Sequence, residues 1–133
     1  MVAMDIYTAY VIIMAEGGGT FRNTSEGLIE FAPDHGFIIS RKGSEVKIAL
    51  SDFAIIRLIE FVATLPYGTL FGAWVSEGTV YLDVNDWKST ELGIGSLIVK
   101  EFGSIEEAAL FLGKLRGQLA IWDCKNKCSI DVK

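Results

Sequence analysis

The segment Gly36–Leu65 constrains the fold more than any other part of the chain, because it predicts a tight hairpin that leads directly into a helix. Apolar and polar residues alternate on both sides of Lys42 and Gly43, which is the pattern of two antiparallel strands joined by a two-residue loop. This register places one apolar set on the same face of the hairpin: Phe37, Ile39, Val46 and Ile48.

The same segment predicts a helix over Asp52–Leu65. Ser51 is the predicted N-cap, and Asp52 places a carboxylate in the first turn, where the positive end of the helix dipole favours it. Pro66 cannot continue the helix. The few polar residues share one narrow stripe: Arg57, Glu60 and Thr64. A helix that is apolar nearly all round is covered on several sides or lies in a subunit interface.

Chain length and charge restrict the possible functions. The 133 residues suffice for a single domain, 1–133, with one hydrophobic core. The hydrophobic content of 50% and the charged content of 22% are typical of a folded protein. The net charge of −5 disfavours tight non-specific binding of duplex DNA, because that binding depends on neutralising phosphates.

The sequence predicts a cytoplasmic protein without a membrane segment. No stretch approaches the ~18 apolar residues of a membrane span, and no basic leader of a signal peptide is evident. Cys124 and Cys128 flank a short turn. Reduced thiols are the favoured interpretation, and a disulfide, which would stabilise little across so short a loop, stays open. His35 is the one histidine, so we predict neither a metal site nor a cofactor.

The N-terminal third is predicted as strands. Asp5–Met14 is rich in β-branched and aromatic residues on both faces, which favours a strand covered on both sides. Glu16–Thr20 is predicted as a loop, and its glycines lack the lysine of a phosphate-binding loop. Gly27–Ala32 is predicted as a strand that turns through Pro33–Gly36 into the central hairpin.

A second hairpin is predicted over Leu70–Val75 and Thr79–Val84, with Glu77–Gly78 as its loop. This register places Trp74 opposite Tyr81, on the face that the aliphatic residues do not use. Two interpretations stay open. The rings form a stabilising cross-strand pair, or they form a stacking platform for nucleic-acid bases or another flat ligand.

Downstream of the second hairpin the sequence predicts a polar connection, a strand, a helix and two short strands. The connection is Asn85–Glu91, and the strand lies within Ile94–Phe102. Ser104 and Glu107 form a capping box that begins a helix running to about Arg116. The two short strands are Gln118–Asp123 and Ser129–Val132.

The predicted order of elements is a loose internal repeat, 1–66 and 67–133, in which a meander of strands is followed by a helix. Runs of strands closed by helices indicate an α+β fold with antiparallel sheets built from two strand-meander-plus-helix units.

Six stretches of this pattern carry a resemblance to a known group: Arg41–Gly43, Val46–Ser51, Val80–Asn85, Leu97–Lys100, Ser104–Leu115 and Ile121–Asp123. In them the chain resembles the Whirly and PC4-like superfamily of single-stranded nucleic-acid-binding proteins. The resemblance implies protruding strands, helices packed at a subunit interface, and a homo-oligomer. It also implies that single strands run along the sheet, with bases against aromatic rings and the backbone near basic side chains.

Single-strand binding requires positive charge for the phosphates and flat rings for the bases. The candidate binding residues are Phe21, Arg22, Arg41, Lys42, Lys47, Trp74, Tyr81 and Trp87. The sequence therefore predicts a non-catalytic protein that binds single-stranded DNA or RNA.

Two other functional classes compete with this prediction. One is an acidic protein–protein interaction module, such as an inhibitor or assembly protein of a virus or mobile element, in which Trp74 and Tyr81 would be a hot spot. The other is an enzyme, which is the least favoured class because the chain shows no nucleophile constellation and no carboxylate pair at a telling spacing.

Overall fold

The computed structural model describes residues 3–89 and 102–132. Within these ranges the predicted α+β class is confirmed, with eight strands in an antiparallel sheet and three helices. The helices are α1 (Ile6–Glu16), α2 (Ala54–Ala63) and α3 (Ile105–Leu115). The strands are β1 (Gly18–Thr24), β2 (Gly27–Glu30), β3 (Phe37–Ser40), β4 (Val46–Ala49), β5 (Leu70–Ser76), β6 (Thr79–Lys88), β7 (Ala120–Asp123) and β8 (Cys128–Asp131). None of these helices is long and apolar enough to cross a membrane.

The chain forms two compact units, each assembled from two separate stretches of sequence. Unit 1 comprises Met1–Phe31 and Ser44–Val84, and unit 2 comprises Ala32–Gly43 and Asn85–Lys133. Strand β6 contributes its first part to unit 1 and its last part to unit 2. The internal repeat of strand meander and helix stays a prediction.

Unit 1 is an antiparallel sheet in the order β2-β1-β5-β6-β4, with α1 and α2 packed on one face. Strand alternation sends every second side chain towards these helices. The buried core between sheet and helices consists of Ala9, Ile13, Phe21, Leu28, Ile48, Ala54, Leu58, Phe71, Ala73, Val80 and Leu82. We refer to the opposite face of this sheet as the outer face.

The N-terminal segment is a helix, so the strand predicted over Asp5–Met14 is wrong. The carboxylate of Asp5 accepts a hydrogen bond from the Thr8 backbone N–H at 2.8 Å and caps the helix. Gly17 ends it in the left-handed conformation and donates its N–H to the Ile13 carbonyl at 2.9 Å. A segment that is apolar on all sides shows neither the period of an amphipathic helix nor that of a half-buried strand. Its capping residues therefore decide its secondary structure.

The loop predicted over Glu16–Thr20 is also wrong in part, because β1 begins at Gly18. Gly18 pairs with Trp74 of β5. A Cβ atom at Gly18 would lie 2.6 Å from the Ala73 carbonyl oxygen, so this close pairing requires glycine. The glycines therefore allow tight strand pairing.

The hairpin predicted about Lys42–Gly43 does not form, because β3 and β4 each pair with β6 instead of with each other. In unit 1, β4 pairs with Thr79–Leu82. In unit 2, β3 pairs with Asn85–Lys88 and also with β7. The alternating pattern identified both strands, but alternation carries no information about which strand lies alongside.

Two neighbouring predictions have different outcomes. The polar connection predicted over Asn85–Glu91 is wrong for Asn85–Lys88, because β6 continues to Lys88, and its last two residues lie outside the described residues. Its polar residues have partners in unit 2: the Ser40 hydroxyl donates to the Asn85 side-chain oxygen at 3.2 Å. The strand predicted over Gly27–Ala32 is confirmed over Gly27–Glu30 as β2, which pairs with β1.

The second hairpin is confirmed, since β5 and β6 are neighbours in the sheet. Glu77 and Gly78 have φ angles of +48° and +77°, as a type I′ turn requires at both positions. Helix α2 is confirmed but begins at Ala54, because the Ser51 hydroxyl accepts from the Phe53 N–H in a turn that precedes the helix.

Helix α2 is less covered than the sequence predicts. Ala54 and Leu58 are its buried residues, whereas 49% of Ile56 is exposed, as is 68% of Phe53 just before the helix. One face of α2 therefore packs in unit 1, and its proposed place in a subunit interface stays a prediction.

Unit 2 contains the last part of β6 together with β3, β7 and β8, and α3 packs on β3 and β7. The predicted capping box is confirmed at its first residue, because the Ser104 hydroxyl accepts from the Glu107 N–H at 3.1 Å. A Cβ atom at Gly113 would lie 2.8 Å from Ile121, so glycine lets α3 approach β7 closely. The strand predicted within Ile94–Phe102 lies, up to Glu101, outside the described residues.

The buried ring of Phe21 provides a test of the unit 1 core. We expect Phe21→Ala to lower the free energy of unfolding by about 3–5 kcal/mol, because it removes a fully buried ring and leaves a cavity. Chemical denaturation monitored by circular dichroism measures the change. Phe53→Ala is the control, with an expected change within about 0.5 kcal/mol at a largely exposed ring. Equal losses for the two variants would contradict the assignment of Phe21 to the core.

Candidate functional site

Trp74 and Tyr81 lie side by side on the outer face of unit 1. Their ring centroids are 5.1 Å apart and their planes differ by 8°, so the rings are stacked. Trp74 is 38% exposed. The aromatic pair that the sequence predicts is therefore formed, and part of it is accessible to a ligand.

Lys47 extends this stack across the sheet. It is the register partner of Tyr81, and its Nζ lies 5.8 Å from the centroid of the Tyr81 ring. Strands β4 and β5 flank β6 on opposite sides, so Lys47 and Trp74 cover opposite faces of the Tyr81 ring. We call the sequence Lys47–Tyr81–Trp74 the aromatic ladder. A cation–π contact at such an exposed site is worth about 0.5–1 kcal/mol.

Among residues 3–89 and 102–132, no further ring or cation stacks on the aromatic ladder, which leaves one ring face of Trp74 open. The other side of its ring is stacked on Tyr81, so the open face is directed towards β1. The register partner of Trp74 on β1 is Gly18, which has no side chain to place over the indole. The ladder therefore offers one stacking position for a flat group above Gly18.

Alternation along β1 separates two of the candidate residues. Phe21 points into the core, is fully buried and stacks on Phe71 with centroids 5.7 Å apart. It is therefore inaccessible to a ligand. Arg22 points to the outer face, where its guanidinium lies 5.1 Å from the Phe31 centroid and donates to the Gly68 carbonyl at 2.8 Å.

Arg22 shares the outer face with the aromatic ladder but lies some distance from it. Its register partner on β5 is Leu70, four residues from Trp74. At ~3.3 Å per residue, the two positions are roughly 13 Å apart along the strand. A ligand that contacts both must therefore be extended.

The remaining candidates, Arg41, Lys42 and Trp87, belong to unit 2. Arg41 donates to both carboxylate oxygens of Asp86, at 3.0 and 3.1 Å. The Trp87 indole N–H donates to the His35 carbonyl at 3.0 Å, and the two rings meet edge to face. Lys42 is exposed in its loop. These three residues therefore belong to unit 2, whereas the aromatic ladder belongs to unit 1.

Arg116, which the sequence did not single out as a site residue, completes the ion cluster on Asp86. Its guanidinium donates to the Asp86 carboxylate at 2.9 Å. Burial of Asp86 opposes ionisation, but hydrogen bonds and charge from Arg41 and Arg116 outweigh it and hold the pKa of Asp86 below its usual value. The hydrogen bond to Asp86 and the charge of that carboxylate raise the pKa of Arg41. The cluster fastens the C-terminal end of α3 to β6 within unit 2.

Both cysteines are free thiols. Cys124 is buried, and its pKa is raised to about 11 by desolvation and by the neighbouring Asp123 carboxylate, so it is a poor nucleophile. Cys128 is exposed. Among residues 3–89 and 102–132, no group of three or more His, Cys, Asp or Glu side chains has an arrangement that could hold a metal ion.

Comparison of the chain with protein-family models, with curated proteins and with solved structures finds no match. The functional assignment therefore depends on the geometry of the aromatic ladder and its surroundings.

The lowered pKa of Asp86 predicts a pH-dependent part of the stability. A carboxyl group whose pKa is lower in the folded state stabilises the fold above its unfolded pKa of ~3.9 and loses that contribution as the pH falls through the folded value. We expect Asp86→Asn to lower the free energy of unfolding by about 1.5–3 kcal/mol near neutral pH. The difference from the unmodified protein should shrink in acid.

Denaturant midpoints measured from about pH 7 down to about pH 3 follow this change. Asp131→Asn is the control, because Asp131 is an exposed carboxylate on β8. A deficit of Asp86→Asn that persists unchanged in acid would show that the charge of Asp86 is not its source.

Proposed function

We propose that this protein binds single-stranded nucleic acid, without catalysis, through the outer face of unit 1. The observation that carries the proposal is the aromatic ladder, in which a partly exposed indole presents one ring face and a lysine completes the stack. Base stacking on an aromatic ring contributes about 1–3 kcal/mol per base and tolerates any sequence. Phe21, Arg41, Lys42 and Trp87 are not part of this proposed site.

In the proposed complex one base stacks on the open face of Trp74, above Gly18. Lys47 and Arg22 lie on the same face and supply positive charge for the phosphates on either side of that base. For single strands, each neutralised phosphate contributes about −0.7 to the slope of the logarithm of the binding constant against the logarithm of the salt concentration. Two such contacts give about −1.4. With a net charge of −5, we expect weak and strongly salt-sensitive binding.

The finer fold assignment, to the Whirly and PC4-like superfamily, belongs to the same proposal. It is supported by antiparallel strands that precede α2 and α3 and by helices that leave the outer face of unit 1 to the aromatic ladder. The pairing of β3 and β4 with β6 differs from the hairpin on which part of the resemblance rests. The assignment therefore depends on the order of the elements.

Titration of a fluorescently labelled oligonucleotide, single- or double-stranded, tests this function at about 20 and about 150 mM salt. We expect salt-sensitive binding of the single strand. Trp74→Ala should weaken it by about 5- to 150-fold, the equivalent of one lost base stack. Lys47→Ala should weaken it and reduce the salt slope by about 0.7.

Each of these variants has a matched control in unit 2. Trp122 is 42% exposed, so Trp122→Ala removes an indole of similar accessibility. Lys114→Ala removes an exposed lysine from α3. No single-strand binding at low salt, or equal losses for Trp74→Ala and Trp122→Ala, would overturn the proposal.

A second candidate function, a protein-interaction module that includes self-association, is favoured by a different observation. Tyr7, Val11 and Met14 of α1 are 62%, 63% and 37% exposed. Their spacing places them on one stripe of the helix. Such a stripe is typical of an interaction surface. Glu16, at the last position, is the only charged residue of α1, so the exposed stripe itself brings no like charges together when two copies meet.

Analytical ultracentrifugation tests self-association through this stripe. We expect the unmodified chain to sediment as a dimer or larger oligomer, and Val11→Glu to shift it towards the monomer because the glutamate would be desolvated in the contact. Leu119→Glu is the control, because Leu119 is 88% exposed in unit 2. An unmodified chain that stays monomeric at high concentration would contradict this candidate.

A further inference from the structure

The open ring face of Trp74 lies at the end of the unit 1 sheet where β1 begins and β5 ends. Its register partner Gly18 is the first residue of β1. The Val75 N–H donates to the Gly17 carbonyl at 2.9 Å, so the pairing of β5 continues up to the residue that ends α1. The C-terminus of α1 is therefore adjacent to the stacking position above Gly18.

The charges at this end of the sheet are negative. Glu16 is two residues from Gly18, and Glu77 is three residues from Trp74. Both carboxylates are exposed, and within the described part of the chain neither forms an ion pair. The C-terminus of α1 adds the negative end of a helix dipole, which favours a cation, and the last turn of α1 contains no basic residue.

The positive charges of the outer face are farther from the open ring face. Lys47 is three strand spacings from Gly18, about 14 Å, and Glu45, two residues before it, offsets its charge. Arg22 is four residues from Gly18 along β1, roughly 13 Å, and its guanidinium is already bound by a backbone carbonyl. Exposed charges separated by more than about 8 Å are largely screened at physiological salt. The open face of Trp74 therefore lies in a negative environment.

We propose that the open face of Trp74 binds the guanidinium group of an arginine in a basic segment of a partner protein. A guanidinium is planar and stacks on an indole, and its positive charge is attracted both by the negative ring face and by the carboxylates of Glu16 and Glu77. The stack then has a cation at each end, Lys47 on Tyr81 and the arginine on Trp74. The inference goes beyond the proposed nucleic-acid binding and does not depend on it.

Charge also separates this partner from the two other occupants of the ring face. Unit 1 contains nine acidic and three basic residues, so its net charge of −6 attracts a basic segment and repels the phosphates that accompany a base. A second copy of the chain offers no unengaged guanidinium, because each of its four arginines is hydrogen-bonded to a carbonyl or carboxylate of its own chain: Arg22, Arg41, Arg57 and Arg116.

The probe is a short capped peptide of glycine and serine with one central arginine, titrated into isotope-labelled protein and followed by NMR. We expect a Kd of about 1–10 mM, with the largest shifts at the indole N–H of Trp74 and the backbone amide of Gly18. A peptide with citrulline, which is planar but uncharged, should bind about fivefold more weakly or less. A peptide with lysine, which lacks the planar face, should bind about two- to threefold more weakly than the arginine peptide.

Two variants test the ring and the carboxylates separately. Trp74→Leu keeps an apolar side chain but removes the ring, and we expect it to weaken binding of the arginine peptide by about two- to fivefold. Its control is Trp122→Leu, at an indole of similar exposure in unit 2. Glu16→Gln combined with Glu77→Gln should weaken binding by about two- to tenfold. Its control is Glu26→Gln, at an exposed carboxylate in the turn after β1.

The double carboxylate variant also distinguishes this inference from the proposed nucleic-acid binding. Removing two negative charges beside the ring should weaken binding of the arginine peptide and strengthen binding of an oligonucleotide, because the phosphates are repelled less. Arginine binding that follows the expected pattern without any oligonucleotide binding would support this inference and contradict the proposed function.

Two results on the unmodified protein would overturn the inference, and neither depends on the folding of a variant. One is no binding of the arginine peptide, and the other is equal binding of the arginine and citrulline peptides. Among the variants, equal losses for Trp74→Leu and Trp122→Leu would place the arginine elsewhere than on the aromatic ladder and would overturn it as well.

Discussion

The structure depends on the pairing of one long strand, β6, along both of its edges. Its first part pairs with β4 and lies beside β5, and its last part pairs with β3. Each compact unit therefore includes a section of the same strand. Since β4 and β3 have only four residues each, neither has enough backbone hydrogen bonds to be stable without this partner.

The geometry of the aromatic ladder follows from the register on β6. Val80 and Leu82 point into the unit 1 core, which leaves Tyr81 on the outer face between Lys47 and Trp74. A shift of one residue would expose Leu82 and bury Tyr81, so the same apolar core that stabilises the unit also fixes the ladder. The register of β6 therefore determines both the packing of the unit 1 core and the geometry of the aromatic ladder.

Local sequence signals predicted those elements whose stabilising contacts join residues only a few positions apart. The turn at Glu77–Gly78 and the cap at Ser104 are examples, because each contact joins residues close in sequence. Helix α1 does not follow from the pattern of its apolar residues, which fit either period, because its caps at Asp5 and Gly17 define it. The partners of β3 and β4, and the contact of Arg116 with Asp86, join distant residues, and no local pattern specifies them.

Strand β4, which in the described part of the chain pairs with β6 along one edge and leaves the other edge unpaired, also affects solubility. An unpaired strand beside exposed apolar side chains is a template on which copies of a chain can stack without limit. Lys47 and Glu45 oppose such stacking, because each added copy would have to take these charged side chains partly out of water. Lys47 therefore protects this edge against aggregation. A chain without it would aggregate first in concentrated solutions of the protein.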